Sequence, residues 1–292
     1  MSKQKVSRRK FLQVSGAGLA GLAGVTMLPL SGNAATDTKS SAIKVRAAYF
    51  SPTEGTRNVI AFISNSITPH PEYIDFTLFQ NRQKKINFSQ NELAIVAAPS
   101  YAGQIPLVEG LFTNLAGDKT PSVVVCAFGN RHFDDVLSQL RGIMTKQGFV
   151  VIAAIGCITP HVFSEKLGHN RPNVDDRIVI DQFASKVAQK FMAGNFTVPA
   201  IPGNENPAPK VIKVATKIYT KGNCVNCGLC AEKCPVQAIN PKNIADLDEK
   251  KCIHCQRCTF VCNYNARSYD PSGVKGYLEA HYFARKEIQY FI

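Results

Sequence analysis

Eight of the ten cysteines form two copies of one pattern near the carboxyl terminus. Each copy has the spacing C-x2-C-x2-C-x3-C, and the members are Cys224, Cys227, Cys230 and Cys234, then Cys252, Cys255, Cys258 and Cys262. Three thiolates spaced two residues apart in a tight loop can bind three corners of an iron-sulfur cube, whereas the fourth cysteine of each copy binds the other cluster. This pattern predicts two 4Fe-4S clusters in one folded unit.

The crossing of the fourth ligand divides the cysteines into two sets. The expected sets are Cys224, Cys227, Cys230 with Cys262, and Cys252, Cys255, Cys258 with Cys234. Two zinc sites and a disulfide framework are the alternatives. Zinc needs only two C-x2-C pairs and leaves the regular third and fourth cysteines of each copy unexplained.

Residues from about Lys217 to Ser268 resemble the bacterial two-cluster ferredoxins at all eight ligand positions. The resemblance implies a small α+β ferredoxin domain, which we place at residues 214–270. That family usually has proline after the fourth cysteine of both copies, and here Pro235 follows the first copy but Asn263 follows the second. His254 is expected to be a surface loop residue, because four cysteines already complete each site.

The first thirty-five residues have the composition of a targeting segment. They contain five basic side chains, no acidic one, and an apolar Gly/Ala-rich run from Phe11 to Leu30. The stretch Ser7-Arg8-Arg9-Lys10-Phe11-Leu12 resembles the twin-arginine export signal. We therefore predict a signal peptide at residues 1–35 and a periplasmic protein exported in the folded state. An uncleaved membrane anchor is the alternative, so a membrane is a partner only during export or without cleavage.

The basic charge of the chain does not indicate a nucleic-acid partner. The formal net charge of +13 falls to about +8 without the predicted signal. Two oxidised clusters and a flavin phosphate, each roughly −2, would bring the loaded protein to about +2.

Residues 43–192 alternate short β-rich apolar runs with longer amphipathic runs, which predicts strands joined by crossover helices. The predicted strands are Ile43–Phe50, Glu72–Phe76, Leu93–Pro99, Ser122–Phe128 and Val150–Cys157. The predicted helices are Thr56–Ser66, Pro106–Leu115, Phe133–Lys146 and Val174–Met192. The sequence thus predicts an α/β domain with a flavodoxin-like, doubly wound, five-stranded parallel sheet. Cys126 and Cys157 are predicted to be buried strand residues, and a disulfide between them is the less favoured alternative.

Three loops follow predicted strands at the edge where doubly wound sheets bind ligands. Hydroxyls and backbone amides at a helix start suit a phosphate, and an aromatic side chain can cover a flat ring. The candidate binding residues are Ser51, Thr53, Gly55, Thr56, Ser100, Tyr101, Gly103, Gly129 and Asn130. Each loop alone is better explained as a helix cap or by packing, and only the coincidence of three loops at one sheet edge favours a site.

Together the loops resemble the FMN-binding loops of flavodoxins, and most closely the flavodoxin-like half of the flavodoxin-ferredoxin fusion proteins (EFR-type ferredoxins). A Y-G-N-R-x-Y-D-D run recurs in that family, and residues 128–135 read F-G-N-R-H-F-D-D. The first loop departs from the family's S-x-T-G-N-T, since Glu54 replaces the usual Gly and Gly55 the usual Asn. A carboxylate beside a phosphate is unfavourable. The resemblance implies bound FMN.

Two further segments complete the chain. Residues 193–213 are predicted to be a Pro-rich linker, because four prolines lie between Gly194 and Pro209. Residues 271–292 are predicted to form an amphipathic helix that packs on the ferredoxin domain or bridges both domains, with partner docking as the alternative.

These features predict an exported electron carrier that passes electrons between a flavin and two 4Fe-4S clusters to a redox partner protein. The compartment favours a c-type cytochrome or a membrane quinone enzyme as that partner. One alternative is a flavin-dependent oxidoreductase in which Arg131 or His132 donates to a small substrate. The other is a ferredoxin subunit whose flavodoxin-like domain is empty and serves for docking.

Overall fold

The structure is a computed structural model that describes residues 43–210 and 217–292. The predicted signal peptide, the end of the predicted linker at 211–213 and the first three residues of the predicted ferredoxin domain lie outside the described residues. The described residues belong to one compact unit. Among them no helix has the length and apolar character needed to cross a membrane.

The secondary structure of the described ranges begins with a βα unit and ends with a short strand. The strands are β1 (Val45–Tyr49), β2 (Glu72–Asp75), β3 (Ile86–Phe88), β4 (Leu93–Pro99), β5 (Leu115–Gly117), β6 (Thr120–Phe128), β7 (Phe149–Ile158), β8 (Lys217–Thr220), β9 (Arg267–Asp270) and β10 (Gln289–Phe291). The helices are α1 (Gly55–Ile67), α2 (Phe79–Arg82), α3 (Val136–Lys146), α4 (Val174–Met192), α5 (Leu229–Glu232), α6 (Arg257–Phe260) and α7 (Ser272–Tyr282).

Six strands form the central sheet, in the order β10-β7-β6-β4-β1-β2. The last five of these run parallel to their neighbours, and β10 pairs antiparallel to β7. Numbered along the chain, the parallel strands lie in the order 2-1-3-4-5, which is the order of a flavodoxin-like, doubly wound sheet. The predicted fold class is confirmed, with one antiparallel edge strand added.

Both faces of the sheet are covered, because its central strands are apolar on both sides. All nine residues of β6 are buried. Ile63 of α1 and Phe183 of α4 pack on one face, and Leu140 of α3 packs on the other. Cys126 belongs to the core of one face and Cys157 to that of the other. Both cysteines are therefore buried and free, as predicted. Their side chains point to opposite faces of the sheet and cannot form a disulfide with each other.

The helix predicted at Pro106–Leu115 is wrong. This segment forms turns in which Gly110 has φ +69° and Phe112 has φ +62°, and left-handed residues interrupt an α-helix. The chain then enters β5, which pairs with β3 in a separate two-stranded sheet. The apolar pattern correctly indicates which side chains are buried, namely Leu111, Phe112 and Leu115. They reach the core from turns rather than from a helix.

The C-terminal helix is shorter than predicted. Helix α7 ends at Tyr282, and the chain continues into β10 beside β7. Tyr290 packs on Phe183 on one face of the sheet, and Phe291 packs on Phe133 on the other. Alternation between faces is the period of a strand, so the helix predicted for residues 271–292 is correct only for its first half.

The described part of the Pro-rich linker packs along the flavodoxin-like domain. Ile201 is buried, and Arg141 pairs with Glu205 at 2.6 Å. The side-chain amide of Gln104 donates to the Ala208 carbonyl at 2.9 Å. These contacts hold the chain that leads to the cysteine-rich module against the sheet domain.

Candidate functional site

The two cysteine runs repeat one another's backbone. Left-handed residues occur at three equivalent pairs of positions, which are Asn226 and His254, Gly228 and Gln256, and Gln237 and Asn265. The third cysteine of each run lies in a four-residue helix, Cys230 in α5 and Cys258 in α6. The repeat brings Cys230 and Cys258 together with Ile239 and Ile244 in one small core. Strands β8 and β9 pair antiparallel and complete the module.

Backbone amides point at the sulfur atoms of the fourth cysteines. The amide of Ala238 donates to Cys234 Sγ at 3.3 Å, and the amide of Ala266 donates to Cys262 Sγ at 3.2 Å. Hydrogen bonds to sulfur stabilise thiolates and help set the potential of a cluster that they ligate. The two equivalent contacts therefore fit thiolate ligands rather than inert core thiols.

Arg267 is a buried cation beside cysteines of both predicted sets. It is 4% exposed, and its Nη1 donates to Thr220 and to the Ile244 carbonyl. Its Nε and Nη2 have no hydrogen-bond partner among the described residues. Burial raises the pKa of the Cys230 and Cys258 thiols, and the charge of Arg267 opposes this rise. A buried positive charge with free donors fits the negative charge of ligated iron-sulfur clusters.

Two adjoining cavities lie at the carboxyl edge of the sheet, and we call them together the edge groove. Their volumes are about 200 and 260 Å³. The smaller cavity is lined by the loop after β1, and the larger cavity reaches the second cysteine run and α7. Both cavities are lined by Ser100, Tyr101, Gly129, His161 and Val162. The groove thus joins loops that follow four different strands.

The loop after β1 presents backbone amides at the start of α1. Ser51 and Thr56 are buried, and Ser51 Oγ accepts from the amide of Arg57 at 3.0 Å. No acceptor among the described residues takes the amide protons of residues 53–56. Free amides at a helix N-terminus together with nearby hydroxyls form a suitable phosphate site. The predicted residues Ser51, Thr53, Gly55 and Thr56 all line the smaller cavity.

Glu54 occupies a position that favours glycine. Its φ of +66° is left-handed, which is costly for a residue with a Cβ. Its carboxylate lies 3.3 Å from Arg57 and 3.3 Å from Arg257. The negative charge that sequence reasoning placed beside a phosphate is therefore compensated by two cations.

Tyr101 lies between the edge groove and the second cysteine run. It exchanges two backbone hydrogen bonds with Gln104 across a turn in which Ala102 and Gly103 have positive φ, as in a type I′ turn. Burial raises the pKa of Tyr101 well above its usual value, and the nearby Cys255 and Cys252 add to the rise. A Cβ on Gly103 would lie 2.0 Å from Asp134 Oδ2, so this turn requires glycine for packing as well as for φ.

The Asn130 side chain binds the C-terminal segment of the chain and does not line the edge groove. Its side-chain amide donates to the carbonyls of Tyr282 at 2.7 Å and Ala284 at 3.0 Å, and its Oδ1 accepts from the amide of Lys286. The side chain of this predicted cofactor residue is thus fully engaged. The neighbouring Gly129 does line both cavities, where a Cβ would lie 2.4 Å from the His161 ring.

Arg131 and His132 line the larger cavity of the groove. Arg131 forms an ion pair with Asp134. His132 accepts from the amide of Asp134 at 2.9 Å and stacks on Phe133 with 4.4 Å between ring centres. Both side chains are therefore held at the cavity wall.

The loop after β7 is a part of the groove that sequence reasoning missed. His161 lines both cavities and its Nδ1 accepts from the amide of Phe163 at 3.1 Å. Burial lowers the pKa of His161 to about 4. The same rule that selected the other loops would have found it, because Thr159, Pro160 and His161 follow the fifth parallel strand directly.

The ferredoxin-like module sits on this edge of the sheet. Arg82 donates to the Pro235 carbonyl at 2.6 Å, and Arg257 donates to the Pro52 carbonyl at 2.9 Å. Ile253 and His254 of the second run line the larger cavity of the groove. His254 is therefore a partly exposed loop residue, in agreement with the expectation from the sequence, and its loop contacts the flavodoxin-like domain.

Comparison with known proteins identifies the cysteine-rich part. Residues 223–266 match the family model of the 4Fe-4S dicluster domain. An uncharacterized protein of Methanocaldococcus jannaschii is 41% identical over 58 residues, which are 20% of this chain and 23% of that protein. The chain thus aligns with less than a quarter of the length of this relative.

Solved structures similar to the chain include two flavodoxins. A flavodoxin from the domain Archaea is 13% identical with a TM-score of 0.36, covering 51% of this chain and 99% of that one. A short-chain flavodoxin associated with a bacterial microcompartment is 13% identical with a TM-score of 0.35, at the same coverage. The fold assignment itself rests on the strand order of the sheet. An iron-sulfur domain joined to a flavodoxin-like fold points to an electron-transfer protein.

Proposed function

We propose that this chain is an exported electron carrier that passes electrons between FMN and two 4Fe-4S clusters to a redox partner protein. One observation carries the proposal. The edge groove is lined on one side by the flavodoxin-like loops and on the other by Ile253 and His254, which lie between two cysteines of the second run. A flat ring held in the groove would therefore lie beside cluster ligands, and electron transfer needs such proximity.

The chain's own residues supply a site for each group. Bound FMN would exchange one or two electrons and each cluster one. The eight cysteines would hold the clusters in the two crossed sets, with Arg267 compensating their charge. The amides of residues 53–56 with Ser51 and Thr56 would hold the phosphate, and Tyr101 would cover the ring. The remaining predicted contacts are Ser100, Gly103 and the backbone of Gly129 and Asn130.

The N-terminal segment supports the proposed export, and the proposed partner is inferred from that compartment. The twin-arginine-like stretch at Ser7–Leu12 supports export of a folded, cofactor-loaded protein, and membership of the flavodoxin-ferredoxin fusion family fits the same domain order. In the periplasm a c-type cytochrome or a membrane quinone enzyme is the expected partner. Replacing both Arg8 and Arg9 with Lys should retain the protein in the cytoplasm, and unchanged periplasmic recovery would refute export by this route.

The cofactor content tests the central proposal. Protein purified without oxygen is denatured, and released flavin is measured against iron and acid-labile sulfide. About one FMN for eight irons supports the carrier. Eight irons without flavin would instead favour the docking-domain alternative, in which the flavodoxin-like fold is empty. Zinc in place of iron would overturn the assignment of the cysteines.

A flavin-dependent oxidoreductase is a second candidate, because Arg131 and His132 are fixed at the wall of the larger cavity. In this function one of them would donate a hydrogen bond or proton to a bound substrate. Small electron acceptors are screened for oxidation of the reduced protein. Replacing His132 with Gln should then abolish turnover while reduction by dithionite stays normal, and equal turnover in the variant would exclude that role.

A further inference from the structure

A third cavity lies where the flavodoxin-like domain meets the cysteine-rich module, and we call it the seam cavity. Its volume is about 430 Å³, which is within the usual range for small-molecule sites. It shares Tyr101 and Ile253 with the edge groove, and Cys252 lines it. None of the loop residues predicted to hold a flavin phosphate lines it.

One part of the seam cavity is apolar. The lining includes Phe79, Ile105, Leu107, Val236 and Ile253. Leu107 is 52% exposed, although it belongs to a segment whose other large apolar residues, Leu111 and Phe112, are buried. An exposed leucine in a concave, apolar surface favours a ligand with an apolar body.

The rim of the seam cavity is basic. Lys210, Lys250 and Lys251 line it and are exposed, whereas Glu109 is the one acidic residue of the lining. Within the described residues Lys210 and Lys250 form no ion pair, and Lys251 is 3.9 Å from Asp248. Three cations around one opening raise the local concentration of anions.

A buried cation lies at the base of the same cavity. Arg82 is 1% exposed and donates to four backbone carbonyls, those of Phe76, Thr77, Glu109 and Pro235. None of these hydrogen-bond partners is a carboxylate. Burial lowers the pKa of Arg82, and the nearby Glu109 carboxylate opposes this only in part. Burying a charge that is only partly compensated is costly, and an anion in the seam cavity would reduce that cost further.

We propose that the seam cavity binds a small organic anion with a flat apolar body, such as an aromatic carboxylate. The acid group lies toward the lysine rim and the buried guanidinium, and the apolar body packs on Phe79, Tyr101 and Leu107. This site does not depend on flavin binding, so it stands or falls separately from the proposed function. It lies beside Cys252, which places a bound anion next to the second cysteine run.

The test uses full-length protein purified with its iron and titrated by calorimetry. The probe is 2-naphthoate, and 2-naphthamide and inorganic phosphate are its uncharged and non-apolar counterparts. We expect naphthoate to bind at least about tenfold more tightly than either, since both charge and apolar burial contribute. Equal affinity for naphthoate and naphthamide would overturn the anion site, and binding of phosphate alone would overturn the apolar part.

Two charge-matched variants locate the binding. Replacing Lys250 and Lys251 with Gln should weaken naphthoate roughly tenfold, whereas replacing the exposed Lys84 and Lys85 with Gln should leave its affinity unchanged. Leu107→Glu, which places a carboxylate in the apolar wall, should abolish binding. Iron content and circular dichroism show that each variant is folded. Equal weakening by the two lysine pairs, or full affinity in Leu107→Glu, would place the binding elsewhere and refute the proposal.

Discussion

Glu54 Oε1 and Arg257 Nη1 lie 3.3 Å apart, and this ion pair joins the start of α1 to the second cysteine run. Arg257 lies between Cys255 and Cys258 and also donates to the Pro52 carbonyl. Glu54, which has the left-handed backbone that favours glycine, thus has an ion-pair partner in the cysteine-rich module. A residue of the first loop is therefore paired with one 203 positions further along the chain.

The Glu54–Arg257 pair should show a measurable coupling. Glu54→Gln keeps the left-handed backbone but removes the charge, so we expect a loss of about 0.5–1 kcal/mol in the free energy of unfolding, because the pair is only partly buried. Glu54→Gly loses the same pair but gains about 1 kcal/mol from relieved backbone strain, and should be near wild type. Anaerobic thermal unfolding checks both.

A double-mutant cycle with Arg257→Gln isolates the pair. The double mutant should lose less free energy of unfolding than the sum of the two single mutants, and the difference, the coupling energy, should be about 0.5–1 kcal/mol. Additive losses would mean that each residue acts through other contacts. Arg57, which pairs with Glu54 at the start of the same helix, is the matched comparison. Arg57→Gln should couple less, because the Arg57 side chain is 52% exposed and that of Arg257 is 13% exposed.

Arg267 should raise the reduction potential of the module. Reduction adds an electron close to this buried cation, so its charge stabilises the reduced state. Arg267→Met should lower the midpoint potential by on the order of 50–100 mV, which for a one-electron couple corresponds to about 1–2 kcal/mol of lost charge stabilisation. A redox titration followed by absorbance measures this shift.

The control for Arg267 is Arg285→Met, which removes the same charge from an exposed residue that pairs with Glu287. It should leave the potential unchanged. Arg267→Lys keeps the charge, so its midpoint potential should stay close to that of the wild type. An unchanged potential in Arg267→Met with full iron content would show that Arg267 only supports the fold.

The features that followed from the sequence are those set by local spacing. The cysteine runs and the alternation of apolar strands and helices depend on neighbours within a few residues, so their patterns are visible in the sequence. Asn130, Glu54 and Arg82 each have a partner 152 to 203 residues away, and no local pattern reveals these contacts. The loop position of Asn130 suggests a cofactor contact, but its side chain hydrogen-bonds to the distant carbonyls of Tyr282 and Ala284.

Misread elements have the same cause. The segment after Tyr101 has helical apolar spacing, but left-handed Gly110 and Phe112 serve a turn that brings Leu111 into the core. The final residues 289–291 fit the apolar spacing of a helix as well as that of a strand. They form a strand because they pair with the edge of β7. Tertiary contacts override weak local preference in both cases.

His161 should make stability depend on pH. Its folded pKa of about 4 lies below the usual value of about 6.5, so the unfolded chain binds the proton more readily. Stability is therefore full above about pH 6.5 and falls as pH drops toward about 4, by up to about 3 kcal/mol. His161→Gln should flatten this slope between pH 5 and pH 7 in thermal unfolding, whereas the exposed His70→Gln should not. Equal slopes in all three proteins would show that His161 is accessible to protons when folded.

Asn130 should fasten the C-terminal segment. Asn130→Ala removes three hydrogen bonds and leaves the Tyr282 and Ala284 carbonyls without this donor, so we expect a loss of about 2–3 kcal/mol. Asn130→Gly removes the same side chain but relieves the φ of +62°, and should lose about 1 kcal/mol less. The measurement is backbone hydrogen exchange of residues 283–292, which should accelerate in both variants while exchange in β6 stays slow. Unchanged exchange in this segment would mean that the pairing of β10 with β7 holds it without help from Asn130.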